Sequence, residues 1–125
     1  MRALRTHCGD EREFVRRVDQ QQRPDGYRLV GAFEGDRCVA VTGFRLVRNL
    51  AWGDAVYVDD LSTLPEARGR GHGAALLEWC AAEARRLGCL ELHLDSALGP
   101  EREDAHRLYF NQRLSIASYH FMKSL

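Results

Sequence analysis

The stretch Arg68-Gly69-Arg70-Gly71-His72-Gly73-Ala74 constrains this chain more than any other segment. Three alternating glycines let a backbone approach a ligand closely and present successive N–H groups. The stretch follows a strand-like run, Ala55 to Ser62, and opens an amphipathic helix, Gly73 to Leu87. A helix start adds unpaired N–H donors and the positive end of the helix dipole. Together these make a site for a phosphate or pyrophosphate, with Arg68 and Arg70 adding positive charge. The alternative is a glycine-rich surface turn that leads into a helix and binds nothing.

The rest of the chain sets this loop in a mixed sheet. Asp10 to Gln22 reads as a helix, with Asp10 as cap, Glu13 three residues on, and Phe14, Val15 and Val18 on one face. Three strands follow at Tyr27 to Phe33, Cys38 to Val47 and Ala55 to Ser62, joined by turns at Glu34-Gly35-Asp36-Arg37 and at Asn49 to Asp54. Short connections predict an antiparallel meander. In the helix, Leu76, Leu77, Cys80, Ala84 and Leu87 recur at helical spacing, and Gly88 stops it. Cys89 to Asp95 alternates as a strand. Strand, helix, strand in this order is a right-handed crossover with a parallel pair. A helix over Arg102 to Gln112 and a returning strand over Ser115 to Met122 complete the expected α/β (α+β) domain. The length of 125 residues suits one domain over the whole chain, 1–125.

Composition removes several function classes. Lys plus Arg and Asp plus Glu are 18 each, so there is no basic excess for nucleic acid or for a polybasic membrane anchor. No apolar run approaches the ~20 residues that span a bilayer, and the first residues carry no apolar signal core. Cys8, Cys38, Cys80 and Cys89 lack paired spacing and read as reduced thiols of a cytoplasmic protein. Cys80, Cys89 and His93 lack the closely spaced ligand pairs of a structural zinc site, so no metal is expected.

Three ligand classes use such a loop. A P-loop needs Gly-Lys-Ser or Gly-Lys-Thr, which is missing. Gly69, Gly71 and Ala74 fit the dinucleotide pattern G-x-G-x-x-A, and Asp95 lies 21 residues past Ala74. However, antiparallel strands precede the motif, the strand reaches the glycines only through Thr63-Leu64-Pro65-Glu66-Ala67, and only 51 residues follow Ala74, too few for a doubly wound sheet. The third class fits better. Arg68-x-x-Gly71-x-Gly73 resembles the R/Q-x-x-G-x-G/A signature of the GNAT superfamily of acetyl-CoA-dependent N-acetyltransferases. Val58-Asp59-Asp60-Leu61 resembles that fold's central strand, and Leu64-Pro65-Glu66-Ala67 its approach to the motif. Ala105-His106-Arg107-Leu108-Tyr109 resembles its A-x-x-L-Y helix, and Ser118-Tyr119-His120-Phe121 a terminal strand of a bacterial subgroup. The resemblance covers about residues 27 to 125. Arg113-Leu114 stands where the family usually has Gly-Phe, and the N-terminal part, 26 residues before Tyr27, reads as shortened against the family pattern. Arg2 to Thr6 reads as a remnant first strand.

The resemblance implies acetyl-CoA as co-substrate. Backbone N–H groups of Gly69, Arg70, Gly71, His72, Gly73 and Ala74 would hold its pyrophosphate beside Arg68. The backbone of Leu61, Ser62 and Thr63 would pair with the pantetheine arm. Tyr109 would sit near the thioester sulfur; packing on the sheet is its other role. The acceptor would be a small-molecule or peptide primary amine, attacking the thioester directly in a ternary complex. A lysine-like amine has a pKa of about 10.4 and must lose a proton, whereas the thiol leaving group needs little help. Asp59 and Asp60 are the candidate bases. In a regular strand adjacent residues face opposite ways, and a bulge, frequent in related enzymes, would change that; the sequence leaves the choice open. Their charge favours a cationic amine. His72, His93, His106 and His120 read first as structural. The rival readings are a CoA-binding module without catalysis and a nicotinamide-dinucleotide-binding protein. A terminal strand at a sheet edge would give a route to a homodimer.

Overall fold

The computed structural model describes Met1, Leu4, Arg5, His7 and residues 9–125. The remnant strand expected at Arg2 to Thr6 lies mostly outside these described residues, as does Cys8. Four strands form one sheet in the order β1 (Arg28–Glu34), β2 (Arg37–Asn49), β3 (Gly53–Thr63) and β4 (Glu91–Leu94). The first three make the expected antiparallel meander, and β4 lies parallel to β3. The crossover between them is α2, His72–Arg86.

Helix α2 buries Leu76, Leu77, Cys80 and Ala84, the face its spacing predicts. Against it the sheet turns Thr42 and Phe44. The Thr42 hydroxyl lies 4.0 Å from the Cys80 sulfur, and the Phe44 ring meets Trp79 edge-on at 5.8 Å. Val56 and Val58 flank Phe44 from β3 and are buried too. This layer of helix on sheet is the core, and it supports one end of the glycine loop. The other end is held by Leu64, whose N–H donates to the Val39 carbonyl at 2.8 Å.

The first helix starts as predicted. The Asp10 carboxylate accepts from the Glu13 N–H at 2.9 Å, and α1 runs Glu11–Arg17. It does not continue as an α-helix to Gln22. A π-helical turn, Val18–Gln22, and a 3-10 turn, Arg23–Asp25, follow. Pro24, which has no N–H to donate, stands at the start of that 3-10 turn.

Asp95–Leu125 forms a second compact unit, separate from Met1–Leu94. It holds α3, Glu103–Asn111. The helix ends in a left-handed turn at Arg113, φ 64°, where Leu114 N–H donates to the Tyr109 carbonyl at 2.9 Å and Arg113 N–H to that of Phe110 at 3.0 Å. That geometry favours glycine, and a side chain there costs about 1–2 kcal/mol. Replacing Arg113 with glycine is therefore expected to stabilise the protein by about 1 kcal/mol. A urea titration checks this: the midpoint should rise with an unchanged slope, and an unmoved midpoint would show the turn to be unstrained.

The returning strand expected over Ser115 to Met122 is not formed. Residues 114–125 belong to no helix or strand, and Ile116, Tyr119, Phe121 and Met122 are exposed. Alternation suits a strand, but only a hydrogen-bonded neighbour makes one, and no ladder among the described residues includes this segment.

Candidate active site

The glycine loop has the geometry an anion requires. Gly69 and Gly71 have φ of +77° and +84°, and a Cβ at either would meet nothing within 4 Å, so the surface above them is open. The first α-helical hydrogen bond of α2 is donated by Ala75 to the Gly71 carbonyl at 3.0 Å. The N–H groups of His72, Gly73 and Ala74 therefore precede the helical ladder and remain donors for a ligand. Arg70 and His72 both turn to Glu34 at the end of β1, at 2.6 Å and 2.8 Å. These two contacts, His72 first, hold the Glu34 carboxyl below its ordinary range. Glu66 pairs likewise with Arg37 across the start of β2. Three acid–base contacts thus tie the loop to the β1–β2 hairpin.

Strand β3 outruns β4. Its ladder with β4 covers only Ala55 to Val58, so among the described residues Leu61, Ser62 and Thr63 have no strand partner on that side. An unpaired strand edge offers alternating N–H and C=O groups to an extended ligand.

The two carboxylates do not alternate as a regular strand would have them. Pairing of β2 with β3 shifts between Gly43 and Phe44: Gly43 faces Asp60, Phe44 faces Val58, and Asp59 is the extra residue of a bulge. Both carboxylates then turn to the sheet face opposite α2. Asp59 accepts two bonds from the Arg45 guanidinium, at 2.7 Å and 2.8 Å. Asp60 accepts from Arg5 Nε at 2.6 Å and from the Tyr27 hydroxyl at 2.6 Å. Arg5 also donates to the Asp59 carbonyl at 2.9 Å. Tyr27 reaches Asp60 across Gly43, where a Cβ would lie 1.6 Å from its hydroxyl oxygen, so only glycine fits. Burial, and then the bond to Asp60, hold the Tyr27 phenol far above its usual range. The contact with Asp59 likewise raises Arg45. Each aspartate thus has both carboxylate oxygens engaged.

Beside them lies a row of side chains across three strands, Arg45, Tyr57 and His93. The Arg45 guanidinium lies 5.6 Å from the Tyr57 ring centre. Trp52, from the β2–β3 turn, stacks on His93 with ring centres 3.7 Å apart and lies parallel to Tyr57 at 6.3 Å. Arg5, Tyr27, Arg45 and Trp52 were invisible as site residues in the sequence. Tyr109 belongs to the Asp95–Leu125 unit, where it is half-buried on α3, 6.5 Å ring to ring from His106. Burial raises its phenol. His106 Nε2 lies 3.0 Å from both the Ser96 hydroxyl and the Ala97 carbonyl, a structural setting.

A meander, one parallel crossover and a glycine loop at the crossover helix define an acyltransferase-type scaffold rather than a doubly wound dinucleotide fold. The Acetyltransferase (GNAT) family model matches residues 2–113. The chain belongs to the GNAT family of N-acetyltransferases, which corrects the nicotinamide alternative. It is 30% identical over 124 residues to the uncharacterized N-acetyltransferase YhdJ of Bacillus subtilis (strain 168), covering 98% of this chain and 85% of that protein. It is 34% identical over 68 residues to the aminoalkylphosphonate N-acetyltransferase of Salmonella typhimurium, 54% of this chain and 43% of that protein. Among solved structures, the ribosomal-protein-alanine N-acetyltransferase of Brucella melitensis biovar Abortus 2308 shares the fold at a TM-score of 0.72 and 24% identity, over 90% of this chain and 80% of that one. No helix among the described residues is long and apolar enough to cross a membrane.

Proposed function

We propose that this protein moves the acetyl group of acetyl-CoA onto a primary amine by direct attack in a ternary complex. The observation that carries the reading is the pairing of an open glycine loop at the start of α2 with the unpaired edge of β3 beside it. The loop N–H groups from Gly69 to Ala74, with Arg68, would take the pyrophosphate. Leu61, Ser62 and Thr63 would pair with the pantetheine arm, which sets the thioester at the mouth where β3 and β4 part. Tyr109 is proposed to meet the leaving sulfur. Most of the acceleration would come from holding amine and thioester together, because the thiol leaves readily.

The acceptor would lie on the face that carries Asp59 and Asp60. Two arginines balance these two carboxylates. That balance suits an acceptor with an anionic group besides its amine better than a polycation. The name of the Salmonella relative indicates such a molecule, and the assignment is carried to this chain as a proposal. Isothermal titration tests the first step. Acetyl-CoA should bind at micromolar concentration and NADH should not. A folded protein that ignores acetyl-CoA overturns the reading.

A further inference from the structure

A glycine-rich loop can present its N–H groups to a phosphate only if something holds it still. Each glycine samples many backbone states, and fixing them costs conformational entropy. Between Arg68 and Ala74 the only residues with side chains are Arg70 and His72, one on each side of Gly71. Both are held by the same carboxylate. Arg70 Nη1 donates to Glu34 Oε2 at 2.6 Å and to Oε1 at 2.8 Å. His72 Nε2 lies 2.8 Å from Oε1, and because a carboxylate only accepts, the ring donates from Nε2. Glu34 is itself on a rigid element. It ends β1 and pairs with Arg37 at the last step of the β1–β2 ladder. The His72 side chain is only 18% exposed, so its contact is the better shielded of the two. Gly69 and Gly71, at φ +77° and +84°, leave open space above the loop while its two side chains are drawn to the hairpin.

Resting on the reading of this loop as the acetyl-CoA site, we infer that Glu34 is a positioning residue for acetyl-CoA. It holds Arg70 and His72 on the hairpin and so sets the loop N–H groups for the pyrophosphate before the ligand arrives. Preorganisation of this kind raises affinity by removing an ordering cost from the binding step. The charge of Glu34 works in the opposite direction. A carboxylate beside a polyphosphate site repels the ligand, so charge alone predicts tighter binding once Glu34 is replaced. Positioning predicts weaker binding, and the sign of the change separates the two.

The test is isothermal titration with acetyl-CoA for the wild type, Glu34→Ala, Glu34→Gln, an Arg70→Ala, His72→Ala double variant, and that double variant with Glu34→Ala added. Glu34 is exposed at a strand end, so the substitutions should leave the fold intact, which circular dichroism checks. Glu34→Ala should bind about 10-fold more weakly, because two partly exposed ionic contacts are lost together. Glutamine keeps an oxygen with two lone pairs for Arg70 and His72, so Glu34→Gln should stay within about 3-fold of wild type. Alanine and glutamine remove the same charge, and only the positioning role tells them apart. In the background without Arg70 and His72 side chains, Glu34→Ala should change affinity less than about 2-fold. A Glu34→Ala protein that binds acetyl-CoA as tightly as wild type, or more tightly, overturns the inference and leaves the transferase reading standing. So does an equal loss in the alanine and glutamine variants, or a full loss in the double-variant background. A folded wild type that ignores acetyl-CoA overturns the reading beneath it, and that titration comes first.

Discussion

Replacing Gly71 with glutamate is expected to weaken acetyl-CoA binding at least 100-fold, a loss of about 2.7 kcal/mol. Three effects act in the same direction. The backbone at Gly71 has φ +84°, which costs a residue with a Cβ about 1–2 kcal/mol. That strain disturbs the loop at the residue that caps α2. The new side chain also enters the open space above the loop, where nothing lies within 4 Å of a Cβ, and it brings a negative charge to the place proposed for a pyrophosphate. Far from the hydrophobic core, the change should leave most of the fold intact. Titration with acetyl-CoA, with circular dichroism as the folding control, reads the effect. Binding within 3-fold of wild type would remove the loop from the account.

Phe44→Ala is expected to cost about 3–5 kcal/mol of stability, enough to unfold much of the protein near physiological temperature. Phe44 is 1% exposed and lies between the sheet and Trp79, with Arg28 over its ring at 5.0 Å. Truncation removes the ring's transfer energy and leaves a cavity that α2 cannot fill without shifting. Because Phe44 pairs with Val58 next to the Asp59 bulge, the loss should reach the site as well. Urea unfolding measures it. A loss under 1 kcal/mol would mean that helix and sheet collapse onto the gap.

The parts of this molecule that follow from local rules were legible in the sequence. The glycine loop, the apolar face of α2 and the three-strand meander each follow from spacing that a dozen residues carry. The disposition of Asp59 and Asp60 was not. Strict alternation puts them on opposite faces, and one extra residue in β3 puts them on the same face. A signal for it existed: Gly43 stands in the middle of a strand, where glycine marks a bulge or a close approach. Here it marks both, since the Tyr27 hydroxyl occupies the space of its missing Cβ. The partners Arg5, Tyr27 and Arg45 lie 55, 33 and 14 residues from the aspartates they hold, and no periodicity links such positions. The final strand was misread because alternation along Ser115 to Met122 says nothing about whether a ladder partner is at hand.

The most direct measurement of the central claim is transfer itself. Purified protein is mixed with acetyl-CoA and a panel of primary amines, including amines that carry a phosphonate, phosphate or carboxylate group. Released CoA thiol and acetylated amine are counted in parallel, the second by mass spectrometry. The account predicts one thiol for each acetylated amine, with turnover best on acceptors that carry an anionic group. Tight acetyl-CoA binding with no acetylated amine anywhere in the panel would contradict it, and would leave a CoA-binding module built on the same fold.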